Sequence, residues 1–101
     1  MRRKYVILKD YESPILFPEI ISHDEITSRD SVLSAGFFSV SADSNSICGI
    51  RVDCYGESIS LRVKSRPIED SAKVKALITG AEMYEYSELL KEAEQKQKEQ
   101  S

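Results

Sequence analysis

The stretch Ile47-Cys48-Gly49-Ile50-Arg51-Val52-Asp53-Cys54-Tyr55-Gly56-Glu57-Ser58-Ile59-Ser60-Leu61-Arg62-Val63-Lys64 decides how the chain reads. Its first half alternates. Cys48, Ile50, Val52 and Cys54 fall on one side, and Gly49, Arg51, Asp53 and Tyr55 on the other. Its second half repeats the pattern, with Ile59, Leu61 and Val63 apolar and Ser58, Ser60, Arg62 and Lys64 polar. Successive side chains of a strand point to opposite faces, so each half reads as a half-buried strand. Gly56 between them supplies the positive φ that a tight turn needs. The expectation is an amphipathic β-hairpin over residues 47–64, with its apolar row in the core.

Outward from that centre, residues 32–41 also alternate, but neither face is polar throughout. That predicts a central strand covered on both sides. Gly36 inside it signals a bulge or a close backbone approach. The polar residues 42–46 make a turn. At the N-terminus, residues 4–9 and 15–17 read as two short strands around a turn at 10–14, and Pro18 ends the second or sets it at a sheet edge. Ser22 followed by Glu25 is a capping-box pattern, which predicts a short helix over 23–29. Pro67, Glu69 and Asp70 suit the start of a helix, Gly80 suits its end, and Ile68, Ala72, Val74, Leu77 and Ile78 form its apolar stripe with Lys73 and Lys75 outside.

The expected fold is therefore α+β: an antiparallel sheet of about four to five strands, one main helix packed on a face, a short helix near 23–29 and a C-terminal helix. Residues 1–80 read as one domain. Residues 81–101 read as a polar helix or tail, unanchored beyond Ala93 and partly disordered.

The chain has 101 residues and a net charge of −3, which argues mildly against a general nucleic-acid binder. The apolar run near the N-terminus is too short for a signal peptide and nothing approaches the ~20 residues of a membrane span, so the expected compartment is the cytoplasm, with no membrane partner. Cys48 and Cys54, placed in one strand, would lie roughly 20 Å apart. They then cannot pair or share a metal ion, and both read as reduced, buried residues.

The strings Ser34-Ala35-Gly36-Phe37-Phe38, Cys54-Tyr55-Gly56-Glu57-Ser58-Ile59-Ser60-Leu61 and Lys64-Ser65-Arg66-Pro67 with Asp70 carry a resemblance. The chain resembles a family of short uncharacterised proteins found in bacteria and in phage-related gene neighbourhoods, over about residues 4–80. The resemblance implies no catalytic residue.

Four groups of residues are candidates for function. Arg51, Tyr55, Ser60, Arg62 and Lys64, with Arg66 just beyond, would form a basic outer face of the hairpin able to hold a phosphate or a nucleic-acid backbone. A solvated sheet face, its charge offset by Asp53 and Glu57, explains the same residues. Ser58 beside Glu57 lacks the flanking glycines and the strand-to-helix turn of a nucleophile elbow. His23 with Asp24 and Glu25 is accounted for by the capping box. Met83, Tyr86, Leu89 and Leu90, with Tyr84 beside them, form an apolar stripe that serves either as core or as an interface. Neither a phosphate loop, a metal cluster nor a catalytic triad is read, so no cofactor, metal or catalytic residue is assigned. The leading expectation is a non-enzymatic interaction module, a homo-oligomer or the binder of a protein partner. Nucleic-acid or phosphate binding through the basic face is the alternative.

Overall fold

The computed structural model describes residues 2–80 and 83–100, with the side chains of residues 12, 83–85, 99 and 100 outside that description. Strands β1 (Arg3–Leu8) and β2 (Tyr11–Pro18) form an opening hairpin. A short helix α1 (His23–Ile26) and a 3-10 turn (Arg29–Ser31) lead into β3 (Val32–Ala42). A second 3-10 turn (Ile47–Gly49) precedes β4 (Ile50–Tyr55). The two-residue strands β5 (Glu57–Ser58) and β6 (Val63–Lys64) follow, then helices α2 (Pro67–Thr79) and α3 (Met83–Gln100). The main sheet is antiparallel with order β2-β1-β3-β4, and β5-β6 is a separate small sheet. The α+β class, the main helix on one face and the C-terminal helix are as the sequence predicts.

Alternation explains the two cores. On one side of the sheet Tyr5, Ile7, Phe38, Val52 and Cys54 pack with Val74 of α2. On the other, Val6, Phe17, Val32, Ala35 and Leu61 pack together under Ile21 and Ile26. β3 is therefore central and covered on both faces for its first half. Its bulge lies at Leu33, since Ile7 pairs with Ser34 but Leu8 pairs with Val32. That extra residue brings Val32 onto the same side as Ala35. Gly36 instead marks a close approach: a Cβ there would lie 2.5 Å from the Tyr55 carbonyl oxygen.

The hairpin expected over residues 47–64 does not form. β4 pairs with β3, through Phe37↔Tyr55 to Ala42↔Ile50. Gly56, at φ 77°, is the bend where the chain leaves β4 rather than a hairpin turn. The tight turn falls at 59–62 and is made by Arg62 at φ 57° and by Ser58, whose hydroxyl accepts the Leu61 N–H at 3.1 Å. Period-2 patterning reports which side a residue faces, not which strand it pairs with. The inner row is corrected in two places. Ile59 is 86% exposed, and Cys48 is exposed at φ 60° in the turn before β4. Cys54 is buried and free, as expected.

α1 is shorter than predicted, but its capping box is present, with the Ser22 N–H donating to Glu25 Oε2 at 2.7 Å. α2 starts at Pro67 and ends at a left-handed Gly80, as its sequence signals. Lys75, expected outside, is buried instead. α3 is not an unanchored tail. It continues past Ala93 to Gln100, Leu89 is buried, and Lys96 reaches Asp43. Among the described residues no helix is long and apolar enough to cross a membrane.

Candidate functional site

One half of the second sheet face is only partly covered, with Ser39, Ser41 and Tyr55 exposed and Lys4, Phe37, Arg51 and Asp53 half-buried. Where α1 and the β5–β6 turn end, the register sets a row across all four strands: Phe17 pairs with Lys4, Lys4 with Phe37, and Phe37 with Tyr55. The Phe37 and Tyr55 rings stack at 5.9 Å and 27°. The Arg2 guanidinium lies 4.2 Å over Phe37 and is held there by Glu19 at 3.0 Å. That bond, the largest influence on Glu19, keeps its carboxyl below the ordinary range. The next positions along the ribbon are Ser39 opposite Asp53 and Ser41 opposite Arg51, and Arg51 Nε donates to Asp53 at 2.9 Å. Ser39, Ser41 and Tyr55 are exposed. The surface thus offers stacked aromatics, two hydroxyls and two ion pairs.

The basic face expected from the sequence is only partly assembled. Tyr55 and Arg51 belong to this partly covered half-sheet. Lys64 pairs in register with Glu57, one residue beyond Gly56. Ser60 and Arg62 sit in the β5–β6 turn, and Ser58, in the polar row of the expected hairpin, is buried. Arg66 is committed elsewhere, since its guanidinium and its backbone N–H all donate to Asp70. The apolar stripe on α3 is divided in the same way. Leu89 packs into the chain's own core, Tyr86 and Leu90 are half-buried, and the side chains of Met83 and Tyr84 lie outside the described residues.

Two residues that sequence reasoning passed over organise the interior. Asp70 is fully buried and accepts from Tyr5 Oη at 2.5 Å, Ser34 Oγ at 3.0 Å and the Arg66 backbone N–H at 2.8 Å. Burial, with Cys54 and Asp70 adding to it, pushes the Tyr5 phenol well above its ordinary range. Burial likewise pushes the neighbouring Cys54 thiol up to about 12, so no thiolate forms near neutrality. Glu92 is the second such residue: it takes Lys75 Nζ at 2.5 Å and the Ile47 N–H at 2.8 Å. Only the position of Asp70 in a helix's first turn was visible beforehand, and that reads as a dipole effect.

His23 is buried between the edges of Phe17 and Phe37, and its Nε2 donates to the Gly36 carbonyl at 2.9 Å. Burial lowers its pKa from 6.5, with the Gly36 bond working the other way. The neutral ring is therefore the folded form. The stability it confers is full above pH 6.5 and falls as the pH drops below that value, because the unfolded chain binds the proton first. Urea melts from pH 7 to pH 5 are expected to show that loss, and His23→Phe is expected to flatten it. An unchanged slope in the variant places the acid sensitivity elsewhere.

Among the described residues no three His, Cys, Asp or Glu side chains are placed to hold a metal ion. No protein-family profile matches the chain, and neither a curated protein nor a solved structure matches it.

Proposed function

We propose that this protein is a small non-enzymatic interaction module that self-associates through the partly covered half of its sheet. The observation that carries the reading is the contrast between that surface and the rest. Several side chains with reactive chemistry are spent internally, Cys48 being free and exposed: His23 on Gly36, Ser58 on the Leu61 turn, Asp70 on four donor groups, Cys54 in the core. The opposite face lies under α2. Both sheet edges are blunted. Pro14 and Pro18 remove donors from β2, while Ser71 and Lys75 of α2 bond Cys54 N–H and Ile50 C=O of β4.

Charge favours a second copy over a polyanion. Arg2 and Arg51 each have a carboxylate beside them, so a nucleic-acid backbone would meet Glu19 and Asp53 as well. A twofold contact sets the cations of one copy against the acids of the other. Tyr55, stacked on Phe37 and 39% exposed, is the anchor.

The expected result by light scattering is a concentration-dependent dimer, which Tyr55→Glu weakens by about 2 kcal/mol, roughly 30-fold in Kd, with an unchanged circular-dichroism spectrum. A wild type that keeps the monomer mass of 11.4 kDa at its highest soluble concentration overturns the proposal. So does a monomer that binds a single-stranded oligonucleotide in a salt-sensitive way, which assigns the face to nucleic acid instead.

A further inference from the structure

We infer that the cleft between β4, α2 and α3 binds one small monovalent anion, of the size of chloride or formate. The cleft measures about 20 Å³, and Arg51, Val52, Asp53, Lys75, Glu92 and Lys96 supply its polar lining. Part of that lining is the outer edge of β4. Cys54 N–H donates to Ser71 Oγ and Ile50 C=O accepts from Lys75 Nζ at 2.7 Å, so both groups point away from β3. By the two-residue alternation of an antiparallel strand, the N–H and C=O of Val52 point the same way. α2 therefore caps the edge groups on either side, and the Val52 pair between them faces the cleft.

The charges around the cleft are already matched. Arg51 Nε donates to Asp53 at 2.9 Å, Lys75 Nζ to Glu92, and Lys96 Nζ to Asp43 at 3.4 Å. The second Glu92 oxygen takes the Ile47 N–H. What is left over is donors. Arg51 Nη2 is buried and has no acceptor. Lys75 Nζ has three N–H bonds and spends two of them, on Glu92 and on Ile50 C=O. Val52 N–H is the third donor, and Val52 C=O is the one acceptor beside them. Buried donors without acceptors are costly. A water molecule would bring two more protons to a place already short of acceptors. An anion accepts on every side, and its bonds from guanidinium and ammonium are charge-assisted. Size narrows the class further. A water-sized body needs about 10–15 Å³. A cleft of about 20 Å³ thus admits a halide or one end of a carboxylate, but not the four oxygens of phosphate.

Anion titrations of the whole chain at constant ionic strength, replacing sodium gluconate, test this through the Val52 amide resonance. The expected result is a saturable shift with chloride or formate and none with phosphate. Saturation by chloride alone marks a halide site, and by formate alone a carboxylate site; either supports the proposal. Arg51→Met removes the unmet donor and is expected to weaken binding by about tenfold or more. Ala93→Leu fills the cleft from α3 without touching a charged group, and is expected to abolish the saturable shift with an unchanged circular-dichroism spectrum. The site is overturned if the wild-type Val52 shift only grows linearly with each salt, if phosphate reproduces it, or if it saturates equally in both variants.

Discussion

Asp70→Ala is expected to lower the unfolding free energy by about 3–5 kcal/mol, the range for removing one partner of a buried charged network. The carboxylate has no exposed surface, and it is where the sheet and α2 are joined. Tyr5 reaches it from β1, Ser34 from β3, and Arg66 from the helix start through both its backbone N–H and its guanidinium. Alanine leaves the two hydroxyls and the amide without an acceptor, and each buried unsatisfied group costs about 1–3 kcal/mol. At about 4–8 °C of Tm per kcal/mol for a domain of this size, the variant's Tm is expected to fall by about 12–40 °C. Urea midpoints measure the loss. Tyr5→Phe alone is expected to cost less, because Asp70 keeps its other donors. In the double variant the two losses should fall short of additive by about 0.5–3 kcal/mol. A drop below about 1 kcal/mol for Asp70→Ala, or strict additivity, would show that the network is not the joint between sheet and helix.

The reason this joint escaped sequence reading also explains what was legible. Patterns with a short period were readable: the alternation in β3 and β4, the Ser22–Glu25 capping box, and the Pro67 and Gly80 limits of α2 all depend on residues within a few positions of one another. Pairing is long-range, and it decided the outcome at residues 47–64. The alternation continued across 58–64, but Ile59 and Arg62 belong to a turn whose left-handed residue is an arginine. Nothing in the sequence distinguishes that arginine from a strand residue. Asp70 and Glu92 were hidden for a related cause. A carboxylate in a polar helix reads as solvated until its distant donors are known: Tyr5 and Ser34, 65 and 36 residues away, for Asp70, and Lys75 and Ile47, 17 and 45 residues away, for Glu92. The partly covered half-sheet was half legible. Arg51 and Tyr55 were singled out, whereas Arg2, Phe37 and Ser39 join them only through the β1–β3–β4 register.

Gly36→Ala carries the same lesson as an experiment, since it tests a long-range contact that one residue type did announce. The added Cβ would meet the Tyr55 carbonyl oxygen at 2.5 Å and Ser65 Cβ at 3.2 Å. Neither can give way locally. Tyr55 is the last β4 residue paired with β3, and Ser65 is tied back by its N–H to the Gly56 carbonyl at 3.0 Å. The clash is therefore relieved only by moving the β4–β5 passage off β3. Overpacking of this kind costs about 1–3 kcal/mol and more where backbone must shift, so a loss of about 3 kcal/mol is expected. Gly49→Ala is the control. Its Cβ meets nothing within 4 Å, and at φ 72° it suffers only backbone strain, about 1–2 kcal/mol. Urea melts of the two variants separate contact from strain, and a Gly36→Ala protein as stable as Gly49→Ala would refute the close approach. The displacement also moves Tyr55 away from Phe37, so at a temperature where Gly36→Ala is still folded its dimer should dissociate at lower dilution than that of Gly49→Ala. That links the glycine whose Cβ would meet backbone to the surface through which the protein is proposed to act.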